Sequence, residues 1–89
     1  MKRALATVYH EIKKGSPVEI QAGIDDEAHS DASRCARALG KRWNACKFSV
    51  AKLGPGHWIV EGDFSELSDA SLVQGFAEGF LASRWHWER

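Results

Sequence analysis

The sequence predicts a single α+β domain, a two-layer sandwich in which two helices cover one face of an antiparallel sheet. Three observations predict it: short alternating apolar segments joined by turn residues, small apolar residues at helical spacing between 28 and 43, and an amphipathic C-terminal segment. A chain of 89 residues has room for one hydrophobic core, so residues 1–89 form one domain. The predicted order is ββαββα, with αβαββα as the alternative.

The first element, within residues 3–12, fits two descriptions. Leu5, Val8 and Ile12 share one face of a helix, whereas the residues TVY favour a strand. The following KKGSP is typical of a hairpin turn. We favour the strand and keep the helix as the alternative.

The second element is a predicted strand in PVEIQAGI, residues 17–24. Val18, Ile20, Ala22 and Ile24 alternate with polar residues or glycine, as in a half-buried strand.

A helix then follows over DDEAHSDASRCARALGKRW. Asp25 or Asp26 is its predicted N-cap, and acids at the start with bases at the end match the helix dipole. Its apolar stripe consists of Ala28, Ala32, Cys35, Ala36, Leu39 and Trp43.

Two more strands and a helix complete the fold. CKFSVAKL and HWIVEG are strands joined by Gly54-Pro55-Gly56, a sequence that suits a type II turn. The last helix covers ASLVQGFAEGFLASRW, with Ser65 or Ser68 as its cap.

A contact between the two helices is predicted from side-chain size. Ala28, Ala32 and Ala36 form a ridge at a spacing of four, and Gly75 and Gly79 form a smooth groove at the same spacing. Small residues let helices approach closely, so we expect the ridge to meet the groove. The alternative is that the glycines form a homodimer seam, and the sequence leaves monomer or homodimer open.

Charge and composition exclude several classes of protein. The formal net charge is zero, which disfavours nucleic-acid binding because that function usually needs a basic excess. No signal-peptide core and no membrane-spanning apolar run is present. The two cysteines are too few for a disulfide scaffold, so we expect reduced thiols and a cytoplasmic protein.

No residue cluster predicts catalysis, a metal or a cofactor. The acidic residues around His29 are interpreted as a helix start, and the four histidines lack ligand spacing. Cys35 and Cys46 fit small buried side chains. The predicted outer sheet face carries no aromatic pair for stacking bases, so an RNA platform is disfavoured.

Two surfaces are candidate partner-binding sites. Trp85 and Trp87 stand near the end of the chain, and on a helix at least one of them is hard to bury. Exposed tryptophan beside charged residues is typical of interface hot spots. The alternative is that both rings cover one end of the core. The second surface is a basic helix face formed by Arg34, Arg37 and Lys41 and extended by Arg42.

The layout resembles that of small phage anti-CRISPR proteins. The resemblance is carried by VYHEIKKGSPVEIQAG, then DDEAHSDASRCARALGKRW, then KFSVAKLGPGHWIVEG, which would form a hairpin, a helix and a second hairpin. It implies stoichiometric binding to a host protein complex. We therefore expect a non-enzymatic protein-binding domain, and the alternative function is nucleic-acid binding through Arg34, Arg37 and Lys41.

Overall fold

Five elements build the fold in the computed structural model, which describes residues 2–63 and 70–87, with side chains for 2–63 and 71–82. In chain order they are strand β1 (Lys2–Tyr9), helix α1 (Val18–Arg42), strand β2 (Lys47–Gly54), strand β3 (His57–Asp63) and helix α2 (Ala70–Trp87).

The strands form one antiparallel sheet in the order β1-β3-β2, so β3 is central and both neighbours are edge strands. Both helices pack on the same face. The predicted α+β class is therefore confirmed, as is the strand over the first segment. The core consists of Leu5, Val8 and Val60 from the sheet and Ala28, Ala32, Cys35, Leu39, Val73, Ala77 and Leu81 from the helices.

The strand predicted over residues 17–24 is wrong, because this segment forms the first two turns of α1. Pro17 is the N-cap of this helix, and its carbonyl oxygen accepts hydrogen bonds from the backbone N–H groups of Ile20 and Gln21, both at 3.1 Å. Val18 is 76% exposed and Ile20 51% exposed, so neither lies on a buried sheet face.

The earlier helix start also changes the position of the acidic residues. Asp25 and Asp26 lie inside α1 and not at its N-cap, which is Pro17. Their interpretation as first-turn acids that stabilise the helix dipole is therefore wrong, and each needs another explanation.

The two helices meet, but not at the predicted glycines. Gly75 and Gly79 are exposed, and a Cβ atom added to either would have no other atom within 4 Å. The contact instead involves Cys35, whose Sγ lies 3.8 Å from the carbonyl oxygen of Ala77 and donates a weak hydrogen bond to it. Burial raises the pKa of the Cys35 thiol to about 11. The second cysteine, Cys46, is only half-buried.

The turn between β2 and β3 has the predicted character. Gly56 has a φ of +69°, as the second central position of a type II turn requires. Its carbonyl oxygen accepts a 2.8 Å hydrogen bond from the N–H of His10, which ties the turn to the end of β1. The predicted caps Ser65 and Ser68 lie outside the described residues.

Substituting Gly23→Ala tests the helical start of α1. We expect the unfolding free energy to rise by about 0.5–1 kcal/mol, since alanine is the better residue inside an exposed helix and its Cβ meets no atom here. Urea denaturation measures the change. As a control, Gly15→Ala should be destabilising because Gly15 has a φ of +86°. A loss of stability in Gly23→Ala would contradict a helix at this position.

Substituting Gly56→Ala should cost about 1–3 kcal/mol of unfolding free energy. The new Cβ would collide with the backbone oxygen of His10, and the positive φ disfavours any side chain. The matched control is Gly54→Ala in the same turn, where a Cβ meets nothing within 4 Å. Equal stability of the two variants in urea would refute this account.

Candidate functional site

The most distinctive surface of the fold lies between the outer edge of β1 and helix α2. β1 pairs with β3 on one side only, and no described strand covers its other side. An open groove of about 500 Å³ runs along this edge. Its walls are Ala4, Leu5, Ala6 and Thr7 from β1 and Gln74, Glu78, Leu81 and Ala82 from α2.

The hydrogen-bonding capacity of this edge follows from the antiparallel pattern. His10 donates to Gly56, so Tyr9 and His57 form a pair without mutual backbone hydrogen bonds. Because bonded and non-bonded pairs alternate, the N–H and C=O groups of Thr7 and Tyr9 point away from β3. They face the outer side of the sheet, where an added strand can pair with them.

The predicted tryptophan site lies on the continuation of α2. Helix α2 extends to Trp87, so Trp85 and Trp87 are both helical, and their side chains lie outside the described residues. Trp85 follows Glu78 by seven residues and Leu81 by four, which puts its position on the row that lines the groove. Trp87 occupies a different row.

In the structure, one residue of the predicted basic face of α1, Arg42, is separated from the other three. Arg34, Arg37 and Lys41 are exposed, and no ion pair with a carboxylate joins any of them within the described residues. The guanidinium carbon of Arg42 instead lies 5.2 Å from the ring centroid of Trp43 and 5.3 Å from that of Phe76. Arg42 therefore caps the contact between the helices by cation–π interactions, separate from the other three.

Asp25, assigned to a helix cap by the sequence, instead connects α1 to the β2–β3 turn. Its Oδ1 accepts hydrogen bonds from the N–H of Gly56 at 2.8 Å and from Nε1 of Trp58 at 3.1 Å. Its Oδ2 accepts one from Nζ of Lys52 at 3.0 Å. The Gly56 hydrogen bond, followed by that of Lys52, lowers the pKa of Asp25. This carboxylate is a structural tie between helix and hairpin.

Two further groups of the acidic segment, His29 and Asp31, also have structural partners. Asp31 is buried, and its Oδ2 accepts a 3.0 Å hydrogen bond from Nε2 of His10. The ring of His29 lies against Trp58, with centroids 4.4 Å apart. These contacts join α1 to both the β1 end and the hairpin. No group of three or more metal-ligating side chains occurs in the described part of the chain.

The open face of the sheet carries an aromatic pair that the sequence argument missed. Tyr9 and His57 are register partners, and their rings meet edge to face with centroids 5.2 Å apart. The expectation of no aromatic pair on this face is therefore wrong. It failed because the outer face was assigned with residues 18–24 as a strand. Glu61 and Asp63 lie on the same strand and oppose binding of a phosphate backbone.

Comparisons with protein-family models, with curated proteins and with solved structures found no match. Within residues 2–63 and 70–87, no helix has the length and hydropathy to cross a membrane.

Substituting Asp25→Asn should lower the thermal midpoint of unfolding. Because the pKa of Asp25 is lowered by folding, its ionised form stabilises the protein above the ordinary value of 3.8, and this contribution is lost as pH falls through the lower folded pKa. The difference between wild type and variant should therefore shrink below about pH 4. Exposed Asp26→Asn serves as control. A difference that stays constant down to pH 2 would contradict the assignment.

Proposed function

We propose that this chain is a non-enzymatic domain that binds another protein, and that an extended segment of the partner adds to the free edge of β1. The observation that carries the proposal is the outer edge of β1, which pairs with no other described strand, beside an open groove. Strand addition of this kind uses main-chain hydrogen bonds for affinity and pockets for alternate side chains for specificity.

The groove has the shape that such a segment needs. Three of the lining residues, Ala4, Ala6 and Ala82, have small side chains. Side chains from the added strand therefore have space between β1 and α2. Every second residue of the strand would point into the groove, since side chains alternate along a strand. The groove is lined mainly by apolar residues of β1 and α2, together with the polar Gln74 and Glu78 of α2. This lining suits an added strand that carries both apolar and polar side chains.

The tryptophans of α2 and the basic face of α1 are proposed as further contacts with the partner. Trp85, at a helical position in line with Glu78 and Leu81, is proposed as the aromatic anchor, and Trp87, on another row of the helix, as a second contact. Arg34, Arg37 and Lys41, which have no ion-pair partner among the described residues, would attract an acidic partner and speed association. Under this proposal the domain acts stoichiometrically in the cytoplasm, as an inhibitor of the phage anti-CRISPR kind would.

A second candidate function is nucleic-acid binding through Arg34, Arg37 and Lys41. It is supported by the exposure of these three side chains and the lack of ion pairs to them in the described part of the chain. It predicts affinity that falls steeply between low and moderate salt. Strand addition is much less sensitive to salt, so a salt titration separates the two functions.

The variant Ala82→Arg tests the proposed site by filling the groove from the α2 side. We expect a protein captured from a bacterial lysate by the wild-type chain, after nuclease treatment, to be lost with this variant. Ala22→Arg is the matched control, an exposed alanine of α1 remote from the groove. Circular dichroism checks that both variants fold.

Retention of the same partner by Ala82→Arg would refute the groove as the site. A Trp85→Ala/Trp87→Ala variant that stays folded and loses the partner would extend the site to the end of α2. If that variant unfolds, the two tryptophans belong to the core.

A further inference from the structure

We draw no further inference here: the strongest candidate, the patch of Tyr9, His57 and Ile59 on the open face of the sheet, carries none because nothing in the structure shows what covers it.

Discussion

The burial of one stripe of small residues on α1 is the constraint from which the rest of the fold follows. Ala28, Ala32, Cys35 and Leu39 are fully buried. Small side chains bring the helix close to both the sheet and α2. The helix that carries this stripe begins at Val18, ten residues before Ala28, and so includes the segment that alternates like a strand. The described residues then form three strands, and β1 lies at one edge of their sheet.

The polar residues of α1 hold this helix in register with the sheet. Asp25 binds the β2–β3 turn through three donors, and Asp31 binds His10 at the end of β1. Both carboxylates thus act at the same end of the sheet, where the turn also accepts a hydrogen bond from His10. Asp25, His29 and Asp31 resemble an acid–base or metal site in sequence. In the structure each of them makes a contact that joins α1 to the sheet.

The proposed function depends on surfaces that have little part in the core. The β1 edge, the α2 flank beside it and the three cations Arg34, Arg37 and Lys41 contribute little to the core. Backbone groups at an open edge bind any extended chain, so selection of a partner must come from the charges and side chains around them.

The sequence by itself determined the α+β class, the β2–β3 hairpin with its glycine turn, and the buried stripe of α1. Each depends on local periodicity or on backbone preferences that neighbouring residues define. The tertiary structure alone decided between strand and helix for residues 18–24. The apolar residues of this segment alternate as in a strand, but Ile20, Ile24 and Ala28 also follow one another at a spacing of four, as on one face of a helix. It also decided that Gly75 and Gly79 face outward, that Asp25 reaches Gly56 across 31 positions of sequence, and that β1 is an edge. Those outcomes depend on which elements become neighbours in space. The periodicity of residues along one element does not indicate which other elements it packs against.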